Sequence, residues 1–169
     1  MTSSCWLGGW PSRSSRTGWW NHQTSPAAVE RDFGAAVDGR DATCIHIATL
    51  GDHPFGLIQH YALANYPDYL AELSAVCDVT PGALSVDYLI GDPDFRGRGL
   101  GAEMIAACVE RVWSQHPRAS DVIVPVHAEN RASWRALTRA GFCRVAEGSL
   151  TPDNPRHSTD HYVYCLRRP

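Results

Sequence analysis

The sequence predicts an α/β fold, with one mixed sheet flanked by helices. Apolar runs rich in β-branched residues, which predict strands, alternate along the chain with segments of helical periodicity. The composition agrees, because 44% hydrophobic and 20% charged residues are typical of a globular protein. A chain of 169 residues is also long enough to bury a core of ordinary size. No internal repeat or linker divides it.

The first half of the chain predicts one helix and two strands before a less regular segment. Ser25 or Pro26 starts the helix and Gly39 ends it, since proline suits the first helical turn and glycine the position after the last. A turn at residues 51–54 joins the two strands. The expected elements are a helix over 26–37, strands over 44–50 and 55–63, and a loop or short helix over 66–79.

The second half predicts strands and helices in alternation. An apolar strand leads through a glycine-rich turn into a helix, and a run rich in valine and isoleucine predicts the next strand. Asn130 is a good N-cap for the following helix, and Gly141 is placed to end it. The expected elements are strands over 83–91, 121–127, 142–148 and 160–167, and helices over 99–115 and 130–140.

Charge and cysteine content exclude several classes of protein. A net charge of −3 argues against a nucleic-acid-binding protein, which would normally present a basic face. No apolar run approaches the roughly 18 residues of a membrane span. Six cysteines stand singly, without metal-binding spacing, so we expect thiols in a reducing cytoplasm and no bound metal.

Residues 1–17 lack periodicity and predict an irregular arm before a single domain over 18–169.

The turn Arg96-Gly97-Arg98-Gly99-Leu100-Gly101 predicts a site for a phosphorylated ligand. The first N–H groups of a helix have no intrahelical partners, and the helix dipole favours negative charge there. Glycines let the backbone approach a pyrophosphate, and the two arginines add positive charge. The spacing fits neither a Walker loop, which needs Gly-Lys-Ser/Thr, nor a dinucleotide-binding Rossmann motif.

This turn resembles the pyrophosphate-binding signature Arg/Gln-x-x-Gly-x-Gly/Ala of the GNAT N-acetyltransferases, with Arg96, Gly99 and Gly101 at the specified positions. A second stretch, from Asn130 to Phe142, resembles the family's Asn-x-x-(small)-x-x-x-Tyr-x-x-x-Gly-Phe signature about thirty residues later. Within the superfamily, the chain is similar to the aminoglycoside 6'-N-acetyltransferases. The segments that carry this similarity are residues 86–91, 19–20 and 150–155.

The resemblance implies a mostly antiparallel mixed sheet that splays between its fourth and fifth strands, where the pantetheine of acetyl-CoA inserts. It implies acetyl transfer to the 6'-amine of an aminoglycoside by direct attack in a ternary complex, without a metal. The co-substrate would be bound by Leu89, Ile90, Arg96, Gly97, Arg98, Gly99, Leu100, Gly101, Asn130 and Ser133. The acceptor would be bound by Trp20, Glu72, Asp78, Asp87 and Asp153.

Asp87 is the candidate catalytic residue, because it is a carboxylate in an otherwise apolar strand. The resemblance places it under the acceptor amine as general base, directly or through a water. It could instead hold the substrate cation, or be a structural carboxylate bonded to a neighbouring loop. Leu137 replaces the tyrosine that serves many of these enzymes as general acid, so water or another hydroxyl such as Tyr162 or Tyr164 would protonate the thiolate. Tyr88 and His127 are further candidates for proton transfer, against packing roles.

Two other functions compete with aminoglycoside acetylation. One is a related acyltransferase that acts on a siderophore or polyamine, and the other is a CoA-binding sensor without turnover. Acidic residues around the acceptor favour a polycation, and a pure CoA-binding protein has no need of Asp87. We expect a small cationic amine as partner, no nucleic acid or membrane, and a monomer or homodimer.

Overall fold

A computed structural model describes residues 6–7, 26–152 and 157–169. Its strands form one sheet in the order β1-β2-β3-β4-β5-β7-β6. The strands are β1 (Trp6–Leu7), β2 (Cys44–Leu50), β3 (His53–Ala62), β4 (Leu84–Ile90), β5 (Asp121–His127), β6 (Cys143–Ser149) and β7 (Asp160–Arg167). All neighbouring strands pair antiparallel except β4 and β5, which pair in parallel. The predicted mixed, mostly antiparallel sheet is confirmed.

Within the described ranges four α-helices connect the strands, and their ends follow the predicted chemistry. They are α1 (Pro26–Val37), α2 (Pro67–Ser74), α3 (Leu100–Gln115) and α4 (Arg131–Arg139). The side chain of Asn130 accepts a hydrogen bond from the Ser133 N–H, which caps α4 as predicted. Gly141 follows α4 with a φ of 94°. The segment expected as a loop or short helix forms α2. In this described part of the chain no helix has the length and apolarity to cross a membrane.

The β2–β3 hairpin is tighter than the sequence predicts. Leu50 pairs with His53, so β3 begins at His53 and the turn is shorter than the predicted 51–54. Gly51, with a φ of 60°, supplies the backbone conformation that such a tight turn needs. Pro54 lies inside the strand because the register shifts between Ala48 and Thr49, and a β-bulge tolerates a residue without an N–H.

Hydrophobic cores cover both faces of the sheet. The larger core lies under α3 and α4 and includes Val86, Ile105 and Val124. The smaller core lies on the other face and includes Tyr61, Leu73 from α2, and Ile123. Because side chains alternate along each strand, Asp87 points to the face of the smaller core. The five cysteines of the described part carry thiols and form no disulfide.

The N-terminal arm is only partly described. Trp6 and Leu7 pair with Ile45 and Cys44 of β2, where the sequence predicts irregular structure. A strand this short is fixed by its neighbour rather than by its own periodicity, which explains why the pattern does not indicate it. The remainder of the predicted arm at 1–17 lies outside the described residues.

Candidate active site

The site begins where the two parallel strands part. β4 and β5 share a single register pair, Leu84 with Val122. Beyond it the strands diverge, as the predicted splay requires, and residues 86–88 and 124–127 line a cleft of about 500 Å³. Backbone groups on the facing edges therefore have no ladder partner across the gap. Pro125 lies in this part of β5, and a residue without an N–H is tolerated beside an unpaired edge.

Asp87 lies in this cleft and is held from the neighbouring strand. Gln59 stands directly opposite it in the β3–β4 pair, and its Nε2 donates to Oδ2 of Asp87 at 3.0 Å. The hydroxyl of Tyr61 donates to Oδ1 at 3.4 Å. Gln59 and Tyr61 are both buried, whereas Asp87 is half-buried and borders the cleft. The carboxylate therefore has a set orientation with access to a ligand.

The glycine-rich turn forms the N-terminal end of α3. Gly97 and Gly99 have φ values of 72° and 85°, a left-handed conformation that favours glycine. Gly99 is the N-cap and no side chain caps the helix there. Ala102 N–H donates to the Gly99 carbonyl at 3.0 Å, which leaves the N–H groups of Leu100 and Gly101 to a ligand or to water, the arrangement that anions occupy. At Gly101, which faces α4, an added Cβ would make an ordinary contact, 3.7 Å from the Ala136 side chain.

The predicted arginines stand beside this turn. Arg96 folds back on the end of β4, where its Nε donates to the Ile90 carbonyl at 3.2 Å and its Nη2 to the Gly91 carbonyl at 3.4 Å. Arg98 lies over the Phe95 ring, 5.3 Å from its centroid. Leu100 is buried and anchors the helix start. The turn thus combines unsatisfied N–H groups with exposed guanidinium groups.

Tyr88 connects β4 to α4 at the cleft. Its hydroxyl lies 2.7 Å from Oγ of Ser133, and both residues line the cleft together with Asn130. Burial raises the pKa of the Tyr88 hydroxyl, so this group stays protonated throughout the neutral range. Tyr88 therefore keeps a donor proton beside the gap.

The profile of the acetyltransferase (GNAT) domain matches residues 4–150. The chain belongs to the GNAT acetyltransferase family. An aminoglycoside N(6')-acetyltransferase type 1 of Klebsiella pneumoniae is 27% identical over 151 residues, which cover 86% of this chain and 71% of that protein. The protein of the same name from Serratia marcescens matches equally.

A solved GNAT structure has the same fold. It is the aminoglycoside acetyltransferase AAC(6')-Ib in complex with coenzyme A and kanamycin, with a TM-score of 0.70 and 22% identity. The alignment covers 89% of this chain and 80% of that chain. The mixed sheet with its parting strands is therefore the GNAT fold, as predicted.

Arg139 of α4 lies beside the glycine-rich turn, and the sequence did not indicate this residue. Its Nη1 would lie 3.9 Å from a Cβ added to Gly99, so a third guanidinium group reaches the N-terminus of α3. It comes from the last turn of α4, about forty residues later in the chain. The helical phase of α4 relative to α3 decides this placement, and no local motif reports it.

Imidazole groups and one carboxylate line the cleft opposite Asp87. The His127 ring lies 4.8 Å from that of His157 and 5.6 Å from that of His161, measured between centroids. Glu129 follows directly after β5 and is exposed. His157, His161 and Glu129 were missed, because the β5–β7 register that pairs His127 with His161 cannot be read from either strand alone. The sequence did mark His127, and the structure places it at the cleft.

Some of the groups predicted to protonate the thiolate of CoA line the cleft, and others lie in the core. Leu137, at the usual tyrosine position, is fully buried. Tyr164 is buried in the larger core, and Tyr162 lies under Arg144 at 3.6 Å from guanidinium carbon to ring centroid. Neither lines the cleft, so Tyr88 and Ser133 contribute the hydroxyl groups there.

The predicted acceptor-binding residues are only partly brought together. Glu72 accepts a hydrogen bond from the Thr151 N–H, next to Pro152, which lines the cleft. Asp78 is exposed after α2 and lies outside the cleft lining. Trp20 and Asp153 lie outside the described residues. Among the carboxylates in the part of the chain that the structure describes, Asp87 and Glu129 line the cleft.

Proposed function

We propose that this protein transfers the acetyl group of acetyl-CoA to the 6'-amine of an aminoglycoside, by direct attack in a ternary complex. One observation carries the proposal: the Asp87 carboxylate, held by Gln59 and Tyr61, borders the cleft where β4 and β5 part. A buried apolar strand has no structural need for a carboxylate that faces a cleft. The relatives named as aminoglycoside 6'-acetyltransferases indicate the acceptor.

Acetyl-CoA would span the turn and the gap. Its pyrophosphate would take the N–H groups of residues 97–101, with Arg96, Arg98 and Arg139 supplying positive charge. The amides of pantetheine would pair with the open edge of β4 at Ile90, because the β3–β4 register turns the backbone groups of Leu89 toward Leu57 of β3 and leaves those of Ile90 facing the gap. Asn130 and Ser133 would contact the pantetheine from α4. The Ile90 carbonyl already accepts a hydrogen bond from Arg96, so the Ile90 N–H is the backbone group that remains for pantetheine.

In the proposed reaction, the acceptor amine lies between the thioester of acetyl-CoA and Asp87. Asp87 takes a proton from the ammonium, directly or through a water, and the amine nitrogen attacks the acetyl carbonyl carbon. The C–N bond forms, the C–S bond breaks, and the thiolate takes a proton from water or from a hydroxyl such as that of Tyr88. Holding both reactants in line supplies much of the rate, because it removes the entropic cost of their encounter.

Carboxylates would select a cationic acceptor. Asp87 and Glu129 present negative charge inside the cleft, and Glu72 stands at its border. An aminoglycoside carries several ammonium groups, each of which gains charge-assisted hydrogen bonds in such a site. Trp20, Asp78 and Asp153 are proposed to extend this surface.

The test is a thiol-release assay with acetyl-CoA against kanamycin, tobramycin and an analogue with a hydroxyl at the 6' position. We expect turnover with the 6'-amines and none with the 6'-hydroxyl compound. Cys143 is exposed and reacts with thiol reagents, so a Cys143→Ser background keeps the signal to free CoA. Silence with all three compounds, despite acetyl-CoA binding, would favour a different acceptor or a sensor.

The Asp87→Asn variant tests the assigned base. We expect kcat/KM to fall by about 10²-fold or more, the usual contribution of a general base, with unchanged acetyl-CoA affinity. Asp52→Asn is the matched control, because it removes one carboxylate in the exposed β2–β3 turn. A loss below about tenfold in Asp87→Asn would assign that carboxylate a structural role.

A further inference from the structure

Three metal-ligating side chains meet on the face of the sheet opposite Asp87. Cys44 and His46 lie on β2, and His60 lies on β3 directly across from Cys44. One ligand atom from each of the three lies within 4.8 Å of the others. His60 pairs with Val86 on β4, so it shares the face of the larger core, whereas Gln59 and Asp87 share the other face. The group is therefore separate from the acetyl-transfer cleft.

The spacing within this group suits a tetrahedral zinc ion. Sγ of Cys44 lies 3.4 Å from Nε2 of His46. Zinc–sulfur bonds of about 2.3 Å and zinc–nitrogen bonds of about 2.05 Å, at the tetrahedral angle, separate a sulfur and a nitrogen ligand by about 3.6 Å. Small side-chain adjustments therefore bring these atoms onto one ion, and residues paired on adjacent strands keep the backbone in place for it.

The His60 ring has a buried nitrogen that lacks a hydrogen-bond partner in the described part of the chain. Its side chain is 3% exposed, and its Nδ1 has no hydrogen-bond partner within the described ranges. A buried polar atom without a partner is costly, and a bound ion or water is one of the partners that such atoms have in native proteins. Neutral imidazole is the form that binds metals, and its ring nitrogens are among the ligands that zinc prefers.

Charge limits which ion the group can hold. Arg111 on α3 lies close enough to lower the pKa of both His46 and His60, and it opposes any cation. Cys44 compensates, because a thiolate supplies one negative charge once a metal displaces its proton. One soft sulfur and two imidazole ligands match the preferences of zinc rather than those of calcium or magnesium.

We propose that Cys44, His46 and His60 form a binding site for Zn²⁺, with water in the fourth position. The ion would join β2 to β3 beside α3 and would stabilise this side of the sheet. It would take no part in acetyl transfer, because Asp87 lies on the opposite face.

The experiment titrates the metal-free full chain with Zn²⁺ by calorimetry and with Co²⁺ by absorption spectroscopy. We expect one Zn²⁺ per chain, a sulfur-to-cobalt charge-transfer band, and a higher melting temperature with Zn²⁺. In Cys44→Ser the charge-transfer band should disappear. In both Cys44→Ser and His46→Gln the affinity for Zn²⁺ should fall by at least about tenfold.

Matched controls separate this site from other thiols and imidazoles. Cys143→Ser removes an exposed thiol on β6, and His53→Gln removes an exposed imidazole in the hairpin turn. Both should bind Zn²⁺ as the unmodified protein does. Circular dichroism and acetyl-CoA binding should be unchanged in all four variants, which shows that the chain folds. Absence of Zn²⁺ binding by the unmodified protein, or equal binding by Cys44→Ser, would overturn the proposal.

Discussion

The orientation of Asp87 depends on two residues of the neighbouring strand, Gln59 and Tyr61. Gln59 is fully buried and donates to Asp87, while its own Oε1 has no hydrogen-bond partner among the described residues. An unpartnered buried carbonyl costs free energy of folding. The buried amide thus adds little to stability, and its contact with Asp87 is the interaction that accounts for it. If Asp87 is the proposed base, Gln59 is its positioning residue.

Replacement of Gln59 by leucine should separate activity from stability. Gln59→Leu removes the donor to Asp87 and also the unpartnered carbonyl, so we expect the free energy of unfolding to change by no more than about 1 kcal/mol. The kcat should fall by about tenfold because the carboxylate loses one of its two hydrogen-bond donors on β3 and is held less firmly. The KM for acetyl-CoA should stay unchanged.

Steady-state kinetics and thermal unfolding measure both effects. Ser85→Ala is the control, since it removes another buried hydrogen-bonding atom, Oγ, that has no partner among the described residues. Its activity should match that of the unmodified protein. Equal loss of kcat in Gln59→Leu and Ser85→Ala would mean that general packing, rather than the contact with Asp87, supports the site.

Asp87 could be predicted from the sequence, whereas the residues that hold it could not. A carboxylate among apolar strand residues is visible in one segment. Gln59 and Tyr61 are read as ordinary β3 residues until the β3–β4 register is known. Arg139 escapes prediction for a similar reason, because its approach to Gly99 depends on how α4 packs against α3.

At the level of elements, the turn before α3 depends on backbone conformation. Gly99 has a φ of 85° and is the helix N-cap. Gly82 has nearly the same φ, 82°, and precedes β4 outside the turn. An added Cβ meets no atom within 4 Å at Gly82 and only Arg139 Nη1, at 3.9 Å, at Gly99. The two glycines thus form a matched pair for substitution.

We expect Gly99→Ala and Gly82→Ala to lose similar stability and to differ in co-substrate binding. Each alanine is forced into the left-handed region, which costs about 1–2 kcal/mol. Gly99→Ala alone should raise the KM for acetyl-CoA, by about tenfold, because it disturbs the N–H groups offered to the pyrophosphate. Urea unfolding and saturation kinetics measure the two quantities. An unchanged KM in Gly99→Ala would remove the turn from the co-substrate site.

Most element boundaries were predictable because local chemistry sets them. Proline and glycine at the ends of α1, and Asn130 and Gly141 around α4, mark helices within a residue or two. The error at the β2–β3 hairpin arose because Pro54 and Gly51 both indicate a turn, while the bulge that admits Pro54 depends on pairing with β2. Pairing is a long-range property.

At the level of the whole molecule, the splay between the fourth and fifth strands was predicted through resemblance and not through periodicity. Alternating patterns identify β4 and β5 as strands, but they do not reveal that the two share one register pair and then part. That divergence creates the cleft. It places unpaired backbone edges where a molecule with amide groups, such as pantetheine, fits as an additional strand.

Acetyl-CoA should therefore protect the backbone of both edges. We expect slower amide hydrogen exchange at residues 85–90 and 123–127 when acetyl-CoA is bound, measured by mass spectrometry. ADP is the control ligand, because it has a pyrophosphate without pantetheine and should protect residues 97–101 alone. Equal protection of β4 and β5 by ADP would contradict insertion of pantetheine between the strands.

The single register pair between Leu84 and Val122 also has a mechanical consequence. Backbone hydrogen bonds bind β1–β4 into one ladder and β5–β7 into another, but they barely connect the two. The halves are joined by side chains of both cores, beneath α3 on one face and beneath α2 on the other. Apart from the contact at Leu84 and Val122, side-chain packing rather than hydrogen bonding therefore sets the angle between the two ladders. The reactants of the proposed transfer would meet at this junction.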